Sequence, residues 1–355
     1  MNTDTAPVRR GEELNAAALA AYLQGKIEGA EKGVAVEQFP SGHSNLTYLL
    51  RIGGGEYVLR RGPLGPVAPK AHDMAREFRV LEMVHPFFPE APAAIHLCQD
   101  PAIIGSVFFL MERRRGIVLR DDIPLELESV PNYPKLVSES LVDGLVRLHA
   151  IDIFKCGLVS LGKPEGFLQR QVEGWADRWN RAKTDGDSAQ TMNDVIRWLL
   201  ASLPRSLSPT LVHNDYKLDN VMLRVTDSVR IEAVLDWEMA TVGDPLADLG
   251  LTLCYWSWAE KARVKGHQSL TASFRVGSGW YTRDDFVQRY SEQTGRDVSN
   301  IRFYEVLGIF KLAVILQQIY YRFRRGQTSD PRFQRFGEDV ANLVELAVSM
   351  TGTVS

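Results

Sequence analysis

The residues His213-Asn214-Asp215-Tyr216-Lys217-Leu218-Asp219-Asn220 place a carboxylate, an ammonium and an amide within one short stretch, and Asp236-Trp237-Glu238 begins sixteen residues after Asn220. Phosphoryl transfer explains this layout. A hydroxyl nucleophile needs a carboxylate to orient it and to accept its proton as the new bond forms. The charge of a nucleoside triphosphate calls for a hard cation held by oxygen ligands. A lysine beside the base can meet the transferring phosphoryl group as a mobile point charge. Asp215 fits the catalytic base, Lys217 the point charge, and Asn220 and Asp236 the ligands of Mg2+. The apolar residues Val221-Met222-Leu223 read as a strand, and a short hairpin after it would bring both metal ligands to one place. A polar loop that merely ties strands together would not require this order of residue types. A metal-hydrolase reading of His213-x-Asp215 fails for want of a second His pair nearby.

The elements that must position these residues change character along the chain. Residues 14–26 read as an Ala- and Leu-rich helix. Strands are expected at 34–39, 46–52 and 57–61, with Gly53-Gly54-Gly55 as a hairpin turn between the last two. A Pro- and Gly-rich loop and a helix from near Ala71 follow, then strands around 94–98 and 107–111. After Met111 the pattern becomes helical, at 134–150, 168–183 and 191–202, with short strands at 211–213, 221–224 and 230–235. Past residue 245 the chain reads as helical to its end, most strongly over 301–323. Five strands and one main helix thus precede a mainly helical part. The expected division is a first lobe at 1–113 and a second at 114–355.

Composition narrows the class. At 355 residues the chain is long for one compact core and comfortable for two lobes. Its formal net charge is −3, which supports neither a nucleic-acid nor a polybasic membrane partner. Cys98, Cys156 and Cys254 are widely spaced, so no disulfide framework or Cys metal site is implied. The polar N-terminus lacks a signal-peptide core, and no uninterrupted apolar run approaches the ~18 residues of a membrane span. The expectation is a soluble cytoplasmic protein.

His-x-Asp-x-Lys-x-x-Asn, followed by a strand and a second Asp, resembles the catalytic loop and metal-binding Asp of protein-kinase-like enzymes. HNDYKLDN, VLDWEMATVGDPLADLG and LHAID at 148–152 narrow the resemblance to the aminoglycoside phosphotransferase family. The resemblance implies an α+β, bilobal protein-kinase-like fold. The N-lobe would be an antiparallel β-sheet with one main helix, and the C-lobe mostly helical. It implies use of ATP with Mg2+. PSGHSNLTYLLRI then resembles the family's nucleotide loop, with Gly42 allowing close backbone approach and Ser41, Ser44 and Asn45 donating to phosphate oxygens. Arg60 takes the place where a strand lysine is usual, and Glu77 is its expected partner on the following helix. The segment around Met111 would meet the adenine through backbone groups. Asp248 is expected near a helix N-terminus, accepting N–H bonds from the catalytic loop, with His213 bracing that loop.

GKPEGF at 162–167, followed by QRQVEGWADRWNRAK, resembles the kinase-like domains joined to certain acyl-CoA dehydrogenases and their stand-alone bacterial relatives. This second resemblance implies phosphorylation of a hydroxyacyl-CoA, a 4-hydroxyacyl-CoA in particular, as a step in hydroxy-acid breakdown. It also implies a functional link to an acyl-CoA dehydrogenase. Arg170, Arg178, Arg181 and Lys183 outnumber Glu173 and Asp177 there, which suits an anionic acceptor better than a polycationic one. A solvated helix face with Trp175 and Trp179 packed on the core accounts for the same residues. Trp256 and Trp258 could line the acceptor pocket or belong to the core. Two other readings stay open: a kinase of another small alcohol (an aminoglycoside, choline or homoserine), and a pseudokinase-like nucleotide-binding regulator.

Overall fold

The computed structural model describes residues 4–40, 45–63, 73–120, 123–184, 187–265, 277–328 and 330–352. The chain divides into two compact units, Met1–Gly116 with Glu232–Met239, and Ile117–Ile231 with Ala240–Ser355.

The first unit is built on five antiparallel strands. β1 (Ala35–Gln38), β2 (Leu46–Ile52), β3 (Gly55–Arg61), β4 (Ala94–Cys98) and β5 (Phe108–Glu112) lie in the order β1-β2-β3-β5-β4. The β2–β3 turn runs through Gly53 and Gly54, at φ +57° and +89°, a conformation glycine adopts without steric cost. Alternation along the strands sorts their side chains onto two faces. Tyr48, Leu50, Ile52, Leu59, Phe108 and Leu110 form one face and pack with Leu19 and Leu23 of α1 (Ala16–Leu23). The other face carries Arg60, cross-strand from Phe109. Phe109 packs edge-on against Phe78 of α2 (Met74–Val84) at 6.1 Å. Asp73 caps α2 by accepting the Arg76 N–H at 2.9 Å.

The unit also recruits a distant segment, which a boundary at 113/114 does not capture. The N–H of Val234 donates to Glu90 O at 2.8 Å, and Trp237 packs on Phe88 at 5.9 Å. These contacts draw 232–239 into the first unit although the sequence on either side of it belongs to the second.

The second unit is mainly helical. It holds α3 (Leu125–Glu128), α4 (Tyr133–His149), α5 (Phe167–Ala182), α6 (Asp187–Ala201), α7 (Leu246–Lys265), α8 (Arg283–Thr294), α9 (Ile301–Arg324) and α10 (Phe336–Thr351). Short strands interrupt them. β6 (Ile117–Val118), β8 (Val221–Val225) and β9 (Val229–Val234) form one small sheet, and β7 (Thr210–Val212) pairs antiparallel with β10 (Thr241–Gly243). β6 and β10 are too short to carry a readable alternation, and the sequence pattern does not reveal them.

α9 is the spine of this unit. Among the described helices it alone has the length and apolar content of a membrane span, although charged residues interrupt its apolar sequence. The protein buries 78% of that stretch, as a core helix requires. α9 meets α7 at glycines: a Cβ on Gly250 would stand 2.4 Å from the Tyr304 backbone, and one on Gly308 would stand 2.9 Å from Gly250 O. The close crossing fixes α7 and α9 against each other.

Candidate active site

The residues expected to do chemistry fall into two groups, one in each unit. Asp215 lies in the second, on the irregular segment between β7 and a 3-10 turn at Leu218–Asn220. That segment is held by its backbone. Asp248, on the first turn of α7 and fully buried, accepts the N–H groups of His213 and Asn214 at 2.6 Å each. Asn214 sits at φ +63°, in the left-handed region that Asn tolerates better than most side chains. The Asp215 N–H donates to His213 Nδ1 at 3.3 Å. Asp248 and His213 thus both hydrogen-bond to the backbone of this segment.

Burial alone would raise the Asp248 carboxyl. The hydrogen bond from His149, the His149 and His213 rings and the loop N–H groups outweigh it and hold the group below its usual value. His149 Nε2 lies 3.3 Å from Asp248 Oδ2, and His149 Nδ1 lies 2.8 Å from Tyr290 Oη. Both contacts are satisfied by a neutral ring that donates from Nε2 and accepts at Nδ1. Burial lowers the His149 pKa, favouring that neutral form.

The Asp215 carboxylate is engaged asymmetrically. Its Oδ2 accepts from Asn220 Nδ2 at 2.8 Å and pairs with Lys217 Nζ at 3.3 Å. Among the described residues, its Oδ1 meets a single longer contact, from Tyr255 Oη at 3.4 Å. The Lys217 ammonium also lies over the Tyr255 ring, 4.6 Å from its centre. Burial pulls the Lys217 pKa down, but the Asp215 carboxylate beside it outweighs that and keeps the ammonium charged. Burial raises the Tyr255 pKa, so its hydroxyl remains a donor. Asn220 gives both amide hydrogen bonds to Asp215, to O at 2.9 Å and to Oδ2. That orientation leaves its Oδ1 as a hard oxygen ligand.

The second group lies in the first unit. Arg60 on β3 donates from Nε to Glu77 Oε2 on α2 at 3.0 Å, and from Nη2 to Asp236 Oδ1. Arg60 and Glu77 are both buried. Burial opposes the Arg60 charge, but Asp236 and Glu77 more than offset it and hold its pKa above the usual value. Burial pushes the Glu77 carboxyl up to about 7, with Arg60 opposing the rise. Asp236 has φ +68°, a left-handed conformation uncommon outside glycine. Asn45 Nδ2 donates to Glu238 Oε2 at 3.0 Å, and Arg76 Nη1 to Glu238 O at 2.6 Å. Met111 lies on β5, on the same sheet face as Arg60 and Phe109. Ser41, Gly42 and Ser44 lie outside the described residues.

Among the described residues no group of three or more His, Cys, Asp or Glu side chains could cage a metal. The two metal ligands expected from the sequence fall in different units, Asp236 in the first and Asn220 in the second.

Sequence reading gave no role to Tyr255, Lys311 or His149, although His149 lies in the LHAID stretch. The Lys311 ammonium donates to Asn214 O, and its signal in the sequence was a charge inside an apolar helix. Residues expected to favour an anionic acceptor are partly committed elsewhere. Arg170 donates to Glu165 O and Lys163 O, and Arg181 pairs with Asp177. Arg178 lies over Trp175, 4.4 Å from its ring centre. Trp256 is buried and donates from Nε1 to Tyr281 O at 2.8 Å, which makes it core.

The sequence model of the phosphotransferase enzyme family, APH, matches residues 35–285. The chain belongs to the APH phosphotransferase family. This APH-family chain is 33% identical to acyl-CoA dehydrogenase family member 10 of Mus musculus over 97% of its length. It is 30% identical to acyl-CoA dehydrogenase family member 11 of Gallus gallus over 99% of its length. It spans only 32% and 45% of those two proteins. Among solved structures, the fold of the APH-family chain matches a candidate aminoglycoside phosphotransferase from Ralstonia eutropha. That match has TM-score 0.79 and 27% identity, covering 97% of this chain and all of that one. Choline kinase from Cryptosporidium parvum shares the fold at TM-score 0.65 and 12% identity, over 94% of this chain and 95% of that one. A thermostable mutant of APH(4)-Ia, in complex with AMP-PNP and hygromycin B, shares it at TM-score 0.61 and 17% identity, over 95% and 100%. The α+β, protein-kinase-like fold implied by the sequence is the fold observed.

Proposed function

We propose that this protein transfers the γ-phosphoryl group of Mg-ATP to the hydroxyl of a small molecule, a 4-hydroxyacyl-CoA in particular. The observation that carries the phosphotransfer chemistry is the asymmetric engagement of Asp215: Oδ2 is occupied by Asn220 and Lys217, while among the described residues Oδ1 has a single long contact, to Tyr255. Oδ1 is therefore the oxygen available to a substrate hydroxyl.

In this reading Asp215 orients the acceptor hydroxyl and takes its proton. The acceptor oxygen forms its bond to the γ-phosphorus, the bond from that phosphorus to the bridging oxygen of ADP breaks, and ADP departs with the electron pair. Lys217 stays charged against Asp215 and offsets charge on the transferring group. Asn220 Oδ1 and Asp236 would hold Mg2+, which neutralises the triphosphate's charge. Arg60, steadied by Glu77, would hold the α- and β-phosphates, as a planar donor rather than a compact ammonium.

The acceptor rests on different support. The chain resembles, along nearly its whole length, part of two proteins named as acyl-CoA dehydrogenase family members. A kinase beside such an enzyme would act on a substrate of the same class, a hydroxyacyl thioester. Because the chain spans less than half of either relative, their whole activities do not transfer to it by similarity alone. The competing acceptors are the polar alcohols of the structural neighbours, choline and hygromycin B.

The test is a panel incubated with Mg-ATP: 3- and 4-hydroxyacyl-CoAs, free hydroxy acids, choline, homoserine and aminoglycosides. Mass spectrometry reads the gain of one phosphate. Phosphate on the 4-hydroxyacyl-CoA alone is the expected result; phosphate on choline or an aminoglycoside would reassign the acceptor.

A further inference from the structure

The core helix α9 carries a lysine where its neighbours are apolar. Phe310, Leu312, Ala313 and Val314 are all buried, and Lys311 among them is only 6% exposed. An ammonium at such a position costs several kcal/mol in lost hydration. Burial pushes its pKa down to about 8, against the opposing pull of the Asp215 and Asp248 carboxylates. A leucine or methionine would fill the same space without that cost.

Among the described residues, the ammonium has one hydrogen-bond partner, a backbone carbonyl. Lys311 Nζ donates to the carbonyl of Asn214, and lies 5.6 Å from the ring centre of Trp175. Gln171, Trp175 and Asn214 line a small cavity with Lys311. The Asn214–Asp215 peptide is thereby held at both ends, its C=O by Lys311 and its N–H by His213 Nδ1 at 3.3 Å. The preceding N–H of Asn214 is held by Asp248. Asn214 is at positive φ, a conformation that persists where the surroundings hold it. Gly308 lies one turn before Lys311, and its contact with Gly250 brings α9 close enough to α7 for Lys311 and Asp248 to grip the same loop.

We propose that Lys311 is a positioning residue for phosphotransfer: its ammonium fixes the Asn214–Asp215 peptide plane, from which the Asp215 carboxylate is projected. The catalytic consequence rests on Asp215 being the base; the positional claim does not.

The experiment compares wild type, Lys311→Met and Lys311→Arg by hydrogen exchange of peptides covering 211–217, by thermal unfolding, and by phosphotransfer to a 4-hydroxyacyl-CoA. Lys311→Met should unfold no earlier than wild type, because it removes a buried charge. Its 213–215 amides should exchange at least about tenfold faster, in line with loss of a local hydrogen bond, while exchange in α7 and α9 stays unchanged. Its kcat should fall about a hundredfold with KM for ATP unchanged, and Lys311→Arg should recover part of the loss. Unchanged exchange at 213–215 in folded Lys311→Met overturns the proposal. So does faster exchange spread evenly over α7, α9 and the loop, which would make Lys311 an ordinary core residue. If the methionine variant fails to fold, Lys311→Gln carries the same comparison. The exchange measurement needs no acceptor, so a wild type inactive on hydroxyacyl-CoAs would remove the acceptor assignment and leave this result readable.

Discussion

Oδ1 of Asp248 accepts the backbone N–H of Asn214 at 2.6 Å, from the first turn of a helix that begins some thirty residues further along the chain. Its other oxygen takes the N–H of His213 and faces His149 Nε2. A single buried carboxylate thus organises the peptide groups that lead to the candidate base. Asp248→Ala would leave two buried N–H donors and a histidine without their acceptor, at a cost of about 3–5 kcal/mol. Denaturant unfolding measures this; a loss under 1 kcal/mol would mean that the loop finds other partners.

The residues proposed to carry phosphotransfer, 213–220 and Asp236, stand out in the sequence because that chemistry needs particular residue types at local spacing. Arg60 and Glu77 were legible as a strand residue and a helix residue with matching charge. The structure joins them at 3.0 Å. Lys311, His149 and Tyr255 were not legible. Tyr255 and Lys311 reach the loop from other helices, His149 acts on it through Asp248, and only tertiary packing decides that they converge. The recruitment of 232–239 into the first unit was hidden for the same reason, since Val234 and Trp237 find their partners near residue 90. Lys311 did leave a trace, a lone cation inside an apolar helix, but that pattern by itself also fits a surface position.

Glu77 gives a pH signature. Its carboxyl is raised from 4.5 to about 7 by burial. Between those values the folded protein keeps a proton that the unfolded chain has released. Its contribution to stability is therefore full below about 4.5 and declines as pH rises toward about 7. Glu77→Gln should lack that falling slope. Unfolding free energies at closely spaced pH values test this, and identical slopes in wild type and variant would contradict it.

Gly250 tests the crossing of α7 and α9. A methyl group there would stand 2.4 Å from the Tyr304 carbonyl, a backbone atom that cannot turn aside. Gly250→Ala should destabilise the protein by about 1–3 kcal/mol or more through overpacking. It should also reduce turnover, because the crossing carries both Asp248 and Lys311. A variant of wild-type stability would show that the helices separate without penalty.

Asp236 connects nucleotide binding to Arg60. In the structure its carboxylate is paired with the Arg60 guanidinium, and the proposed function gives it to Mg2+ when nucleotide binds. Mg-ATP at a hundred times its dissociation constant should stabilise wild type by about 2.7 kcal/mol. Asp236→Ala should lose most of that gain, as read by thermal shift. A full shift in the variant would remove Asp236 from the set of metal ligands.

The most direct test of the account is transfer of labelled γ-phosphate from Mg-ATP to a 4-hydroxyacyl-CoA by wild type and by Asp215→Asn, with Mg-ATP affinity measured on both. The account predicts a phosphorylated thioester from wild type, equal nucleotide affinity, and turnover in the variant lower by about 10²–10⁴-fold. Equal turnover in the two proteins would contradict the assignment of Asp215 as the base.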